Sequence, residues 1–315
     1  MKRKKLVRVL IFCGALLAAL GLGLWLWLLS AHRQQFVFPE YEKADLSPAV
    51  ERALAGEEPL AEADYRLLFW QTGLGPVAVE ALRQQADFPE KINEYQENFF
   101  RPRQVLCRHV FFPVWQEWLE TPEGKNLHFS LAPLEEGYVL LTRSTHCLGW
   151  RMGHAGLVVD KQARISLESS GLGYDSALEE MGHWEEYPTF IMLRLRDADE
   201  KELAGIAAFA RENLLGAPYR ISAGFWGGKV LSEGLQKKAE SFFGGGEIAA
   251  GQEEKEVVPL LSGTQCAHLI WAAFTAAGYD IDSDGGLLVT PRDIAQSPLF
   301  EVVQIYGLDP AEVWP

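Results

Sequence analysis

The longest apolar run in the chain lies at its N-terminus. From Leu6 to Ser30 a single charge interrupts a stretch rich in Leu, Ala and Trp. A helix of about 20 apolar residues can cross a bilayer. Basic residues precede the run, and Trp25 and Trp27 lie near its far end. The pattern predicts a transmembrane anchor over residues 1–31, with the N-terminus inside the cell and the rest of the chain extracytoplasmic.

A cleaved signal peptide is the alternative interpretation of this run. Signal peptides usually have an apolar core of about 7–15 residues followed by a small-x-small cleavage site. The run here is longer, and no clear site of that kind follows it. These features favour an uncleaved anchor.

The next region, residues 32–128, has a mostly helical pattern. Segments 48–54, 61–71 and 77–85 carry apolar residues at helical spacing. Phe and Trp are frequent up to residue 120, which favours packing between helices. We find no catalytic motif in this region, and we expect it to space or buttress the domain that follows.

The pattern changes near Phe129, where apolar and polar residues begin to alternate. This alternation is typical of β-strands, and two helical segments follow. A Gly-rich and then charged segment at 242–256 predicts a mobile surface insertion. Strands and helices segregate rather than alternate, so residues 129–315 are predicted to form an α+β domain. The predicted strands are 134–142, 154–159, 163–169, 189–196, 287–289 and 299–305, and the predicted helices are 199–215 and 264–277.

The composition excludes several classes of function. The net charge is −14, and the part after the apolar run is more acidic still because basic residues concentrate before it. An acidic body repels a phosphate backbone, so no nucleic-acid partner is expected. The cysteines include no C-x-x-C pair, and no set of three or four converging ligands is evident, so no metal or other cofactor is predicted. The spacing leaves open whether Cys107 and Cys147 form a disulfide.

Cys266 is the first candidate for catalysis. Thr264 is a suitable N-cap, which would place Cys266 in the first turn of a helix. The helix dipole and the free N–H groups of a first turn favour a thiolate. An isolated buried cysteine is often only a small apolar side chain, so a partner is needed to decide between the two interpretations.

His154 provides that partner at the start of a predicted hairpin. With a three-residue turn at 160–162, His154 lies opposite Glu168, and polar residues then share one face of the hairpin. A turn of even length would set His154 against Ser169 instead. The first register brings the Glu168 carboxylate within reach of the imidazole, where it would fix the tautomer and the orientation. A nucleophile, a base and an orienting group suffice for thiol-based acyl transfer.

These segments also resemble a known family. They are similar to the permuted branch of the NlpC-type papain-like hydrolases, in which the histidine precedes the cysteine along the chain. The resemblance covers about residues 129–305 and none of the region before them. The segments that carry it are Gly153–Asp160, Leu167–Ser170, Leu215–Arg220 with Trp226–Gly228, Gln265–Trp271 and Val289–Ile294.

The resemblance implies a circularly permuted papain-like domain with an antiparallel sheet packed on helices. It implies that Cys266 is the nucleophile, His154 the base and Glu168 the third polar residue, and that Tyr219 lines the site or assists the oxyanion. One departure concerns the positions after the nucleophile. The family often has Ser and Glu there, whereas this chain has Ala267 and His268.

The sequence therefore predicts a cysteine peptidase or amidase anchored in the cell membrane by a single span. Its substrate would be a peptide or a lipid amide, with peptidoglycan stem peptides as one candidate. A lipid acyltransferase that forms a thioester would use the same three residues. A papain-like module that binds cell-wall fragments without catalysis is the third possibility.

Overall fold

The computed structural model describes residues 2–31, 39–56, 59–111, 114–147, 150–223, 231–244, 261, 263–286 and 288–313. It combines α-helices with antiparallel sheets, so the predicted α+β class is confirmed. The helices are α1 (Lys2–Ala31), α2 (Ser47–Ala55), α3 (Glu62–Thr72), α4 (Pro76–Arg83), α5 (Phe88–Phe100), α6 (Glu200–Asn213), α7 (Glu233–Phe243), α8 (Cys266–Ala276), α9 (Pro291–Ala295) and α10 (Pro310–Val313). The strands are β1 (Gln104–Phe111), β2 (Val114–Glu120), β3 (Val139–Thr142), β4 (Thr145–Cys147), β5 (Trp150–Arg151), β6 (His154–Asp160), β7 (Ile165–Glu168), β8 (Ala177–Glu180), β9 (Phe190–Leu195) and β10 (Phe300–Tyr306).

The N-terminal apolar run forms the single helix α1. Its segment Leu10–Trp27 has a mean hydropathy of 2.2 over 18 residues, and none of it is buried against the rest of the chain. Membrane spans and signal sequences share this length and composition. The apolar helix is therefore confirmed, and its orientation across a membrane stays a prediction.

The central element is a six-stranded antiparallel sheet with the order β10-β9-β3-β6-β7-β8. Helices α6 and α8 pack against its middle strand β6. In an antiparallel sheet the end of one strand lies beside the start of its neighbour. The strands β3, β7 and β10 therefore end at the same edge at which β6, β8 and β9 begin. We call this the upper edge of the sheet.

The prediction of a helical region over 32–128 is wrong for residues 104–111 and 114–120. These residues form β1 and β2, which join β4 and β5 in a second, four-stranded sheet. In β2, buried Glu117 and Leu119 alternate with half-buried neighbours, a period of two that fits a strand. The aromatic residues that suggested helix packing are equally at home in strands, and pairing with β4 decides the outcome.

Two other sequence predictions fall partly outside the described part of the chain. Residues 288 and 289 are not in a strand, contrary to the predicted strand at 287–289, and residue 287 lies outside the described part of the chain. The insertion predicted at 242–256 overlaps the end of α7, and its residues 245–256 lie outside the described part. The Trp226–Gly228 segment of the family resemblance lies outside it too.

Helix α4 and the residues that join it to α3 pack on the edge strand β10 of the six-stranded sheet, and α3 and α5 pack on α4. The amide of Ile305 donates to the carbonyl of Gly73, and the amide of Gly75 donates to the carbonyl of Val303, both at 2.8 Å. Side chains from the two parts, such as Leu68 and Ile305, belong to one hydrophobic core. The helices therefore buttress β10.

This close contact predicts a large effect for Gly73→Ala. A Cβ at Gly73 would lie 2.1 Å from the carbonyl oxygen of Ile305, whereas one at Gly124 would meet nothing within 4 Å. Both glycines have positive φ, 75° and 77°, so each substitution should cost about 1–2 kcal/mol of conformational strain. Gly73→Ala should lose about 1–3 kcal/mol more through overpacking. Chemical denaturation measures both variants, and equal losses would contradict the packing described.

Candidate active site

Cys266 is the first residue of α8, as the sequence predicts, but its helix is capped differently. The cap is Gln265, whose side-chain oxygen accepts from the amide of Ala267 at 2.9 Å. The predicted cap, Thr264, instead bridges to Tyr219. The Gln265 amide group also donates to the carbonyl of Val289 at 2.8 Å. The long side chain of Gln265 thus fixes the start of the helix and ties it to the segment that leads into α9.

His154 begins β6 at the upper edge, and Glu168 ends β7 beside it. The predicted register is wrong, because Glu168 pairs with Gly156 rather than with His154. The connecting turn is longer than expected and a bulge at Val159 follows the pairing of Val158 with Ser166. A shift of two residues leaves every side chain on its predicted face. His154 and Glu168 are therefore diagonal neighbours, with 2.6 Å between Nε2 and Oε2.

The Glu168 carboxylate is almost fully buried, and four polar groups contact it. Its Oε2 faces His154, and its Oε1 accepts from the Ser166 hydroxyl at 2.5 Å and from the Trp184 indole N–H at 2.8 Å. The fourth group is His183, whose Nε2 lies 3.2 Å from Oε1. A buried charge is tolerated only when it is paired and hydrogen-bonded. This set of donors fixes the position of the carboxylate.

Trp184 also holds the ring of His154. The two rings stack with their centroids 5.4 Å apart and an angle of 10° between their planes. Gly156 provides the space for this arrangement, because a Cβ there would lie 2.8 Å from the Trp184 ring and 3.2 Å from Glu168. A contact that close is not tolerated without a shift of the indole or of the carboxylate. The missing side chain at Gly156 is thus part of the site.

Helix α8, which begins with Cys266, packs on β6, which begins with His154, and the Cys266 sulfur lies 3.6 Å from Oε1 of Gln265. Since Nε2 faces Glu168, the ring nitrogen available to the sulfur is Nδ1. Burial opposes protonation of His154, but the interactions with Cys266 and Glu168 outweigh it and raise the pKa of His154 to about 10. The imidazole is therefore positively charged at neutral pH, and this charge lies against the Glu168 carboxylate.

His183 is a second imidazole on the same carboxylate. Its Nδ1 donates to the carbonyl of Glu180 at 2.9 Å, and its Nε2 faces Glu168. Burial opposes protonation of His183, but Glu168 outweighs this effect and raises the pKa of His183 above its usual value. Both ring nitrogens face acceptors, so the cationic form is the one that fits. No pattern in the sequence points to this role, because His183 lies in a short 3-10 helix 15 residues beyond Glu168.

Tyr219 lies beside the segment that leads into α8. It bridges to Thr264, two residues before the sulfur, and its amide donates to the carbonyl of Tyr174 at 3.0 Å. Burial, and to a smaller degree negative charge on Cys266, raise the pKa of the Tyr219 phenol above its usual value. The phenol therefore stays protonated and can donate a hydrogen bond. The structure places His154 against Glu168, and it places Tyr219 beside Thr264, two residues before Cys266.

No family model matches this sequence. No curated protein matches it either. Among solved structures, the metalloprotein yiiX from Escherichia coli O157:H7 is similar, with a TM-score of 0.36 and 13% identity. That alignment covers 54% of this chain and 97% of the yiiX chain. A likeness this distant decides neither the fold family nor the function of this chain.

The sequence leaves open a disulfide between Cys107 and Cys147, and in the structure both are free thiols. Strand β2 lies between the strands that carry them, and strands two places apart are about 10 Å from each other, too far for a disulfide. Cys107 instead lies 3.6 Å from Nε2 of His146. Next to it the fully buried Glu117 makes a two-point ion pair with Arg151, at 2.6 and 2.8 Å. This buried network joins the strands of the smaller sheet, and no pattern in the sequence indicates it.

Two other features near the upper edge are separate from Cys266. A cleft of about 1060 Å³ is lined by Met152 and Gly153, just before His154, but by neither His154 nor Cys266. The carboxylates of Asp282, Asp284 and Asp293 approach within 4.8 Å of one another. Asp293 is already used in the capping box of α9.

The buried Glu168 predicts a specific loss of stability in acid. Burial alone would raise its pKa, but hydrogen bonds from His154 and His183 outweigh burial and hold the pKa of Glu168 well below its usual range. In the unfolded chain a Glu takes up a proton near pH 4.3, so the stability contributed by Glu168 is present above about that pH and is lost as the pH falls further. The unfolding free energy should therefore fall more steeply in acid for the wild type than for Glu168→Gln.

Chemical denaturation at a series of pH values from about 6 to about 3 measures this difference across the range in which glutamate side chains usually titrate. The matched control is Glu90→Gln, which removes an exposed carboxylate and should leave the wild-type profile unchanged. Parallel profiles for the wild type and Glu168→Gln would contradict the assignment of an ionised, buried Glu168.

Proposed function

We propose that this chain is a membrane-anchored cysteine hydrolase that cleaves amide bonds. Cys266 is the nucleophile, His154 is the base and general acid, and Glu168 orients His154. The observation that carries the proposal is the 2.6 Å contact between the His154 imidazole and the Glu168 carboxylate, on a strand against which the helix that begins with Cys266 packs. A structural cysteine in an apolar core has no need of such a partner.

The chemistry follows from these three groups. The Cys266 thiolate attacks the amide carbonyl, and the C–N bond breaks while Nδ1 of His154 gives its proton to the leaving amine. The acyl group is then held as a thioester. A water molecule, losing a proton to His154, attacks the thioester, and the carboxylic acid leaves as the thiolate is regenerated. Glu168 keeps the imidazole in one orientation through both steps.

The negative oxygen of the tetrahedral intermediate needs donors. The N-terminus of α8 provides the backbone N–H of Cys266 and the positive end of the helix dipole. Tyr219 provides a phenol that remains protonated. Removal of one such donor typically lowers the rate by about 10²–10³-fold, so Tyr219→Phe would distinguish an oxyanion donor from a residue that only lines the site.

The order of histidine before cysteine supports the permuted papain-like branch as the family of this domain. The apolar helix α1 supports a membrane anchor, with the body extracytoplasmic as the charge pattern predicts. A peptide amide at the cell surface, such as a peptidoglycan stem peptide, fits that location. No nucleic acid is expected as a partner, because the body is acidic.

The proposal predicts a covalent acyl-enzyme on Cys266. The full chain in lipid nanodiscs is incubated with peptidoglycan stem peptides or with fatty-acyl amides, quenched in acid, and digested for mass spectrometry. We expect an acyl adduct on the Cys266 peptide and release of the matching amine. The identity of the adduct separates a peptide substrate from a lipid one.

Two variants make this experiment decisive. Cys266→Ala should give no adduct and no amine, while His154→Gln should slow amine release by about 10²–10⁴-fold. Cys107→Ala is the matched control, because it removes a free cysteine from the other sheet. Amine release that persists in Cys266→Ala would refute Cys266 as the nucleophile.

A further inference from the structure

Large apolar side chains are exposed around the site. Of those after α1 that the structure describes, seven are at least 48% exposed. Four of these lie in loops, and two lie near strand ends, Val110 in β1 and Trp150 at the start of β5. Trp150 and Tyr174 are 74% and 68% exposed. Contiguous exposed apolar surface marks a site of interaction with a membrane or a protein. We call this set the apolar rim: Val110, Trp150, Met152, Leu172, Tyr174 and Ile221.

The rim surrounds the upper edge of the sheet, where the catalytic groups lie. Trp150 and Met152 precede His154, the first residue of β6. Leu172 and Tyr174 follow Glu168, the last residue of β7.

The other two rim residues are joined to the same edge by strand pairing. Ile221 follows Tyr219, which pairs with Thr264 just before Cys266. Val110 lies beside the hairpin tip, where Val114 pairs with Cys147. Most segments that carry a rim residue thus lead directly to the site, and β1, which carries Val110, is joined to the segment before His154 through β2, β4 and β5.

The N-terminal tether reaches the body at the same edge. The ring of Tyr41 contacts Phe100 with 5.7 Å between centroids, and the neighbouring Phe99 contacts Tyr306 at 6.5 Å. Tyr306 ends β10 and pairs with Phe190, which begins β9. Both therefore lie at the upper edge, so the chain enters the body close to the edge that carries the apolar rim.

The tether is short. Seven residues, 32–38, separate the end of α1 from Pro39, and a chain of that length spans roughly 30 Å at most even when it is fully extended. A body held so close to a bilayer, and joined to it on the side of its apolar rim, presents that rim to the lipid surface. Trp and Tyr are the side chains that favour the interface between lipid and water.

We infer that the apolar rim rests on the surface of the bilayer that holds α1, so that the active site opens toward lipid. The body carries a net negative charge, so its attraction to the bilayer comes from apolar contact rather than from charge. The inference rests on the membrane anchoring proposed above. Its consequence is that the scissile bond is met at the membrane surface, in a lipid amide or in a peptide linked to lipid.

Photocrosslinking tests this inference on the full chain in phosphatidylcholine nanodiscs. p-Benzoylphenylalanine replaces Trp150, Tyr174 or Ile221, all exposed positions where the change should not disturb folding. Illumination should add the mass of one lipid to each variant. Gln162 is the negative control, because it is exposed in the turn after β6 at the opposite edge of the sheet, and Leu20 in α1 is the positive control.

The outcomes distinguish a failure of this inference from a failure of the proposed membrane anchor. Lipid adducts at the rim positions and at Leu20, without adducts at Gln162, support the inference. Adducts at Leu20 alone, or crosslinks from the rim to a second copy of the chain, overturn it and leave the anchor intact. Absence of adducts at Leu20 refutes the anchor and the inference together. The adducts should be unchanged in Cys266→Ala, so they do not depend on catalysis.

Discussion

A carboxylate buried among apolar side chains is the constraint on which the site depends. Glu168 must remain ionised away from water, and an isolated charge in such a position is very costly. The chain meets this cost with two imidazoles, an indole and a hydroxyl. These donors come from β6, β7 and the short helix before β9. His154, the proposed base, is thus held by the same network that keeps the upper edge of the sheet together.

The second histidine gives this network a property beyond position. His154 and His183 share one carboxylate, so the charge of each affects the other through Glu168. With His183 cationic, the carboxylate is partly neutralised, and His154 depends more on Cys266 for its charge. A linear arrangement of Cys266, His154 and Glu168 therefore describes only part of the proposed site. The site is a branched arrangement in which one acid serves two bases.

The parts of the fold that could be predicted from the sequence are those with strong local patterns. The apolar helix, the helix that begins with Cys266 and the hairpin of β6 and β7 all follow from periodicity. The strands β1 and β2 could not be distinguished from aromatic helices, because the pairing of β1, β2 and β4 with one another determines their form. The faces of His154 and Glu168 were predictable since the side-chain period is two, whereas their register depends on a bulge that no local pattern reveals. His183 and Gly156 act only through tertiary contacts, so the sequence could not single them out.

The most direct test of the account is the reactivity of Cys266 toward iodoacetamide, mapped by peptide. At about pH 6.5 Cys266 should react, because the proposed contact with the His154 imidazole favours the thiolate. Cys107 should not, since burial and Glu117 raise its pKa to about 11, and burial also raises the pKa of Cys147. His154→Gln should slow the reaction at Cys266, whereas His128→Gln, which removes an exposed imidazole, should not. Equal rates for Cys266 in the wild type and in His154→Gln would contradict the contact between sulfur and imidazole on which the proposed function rests.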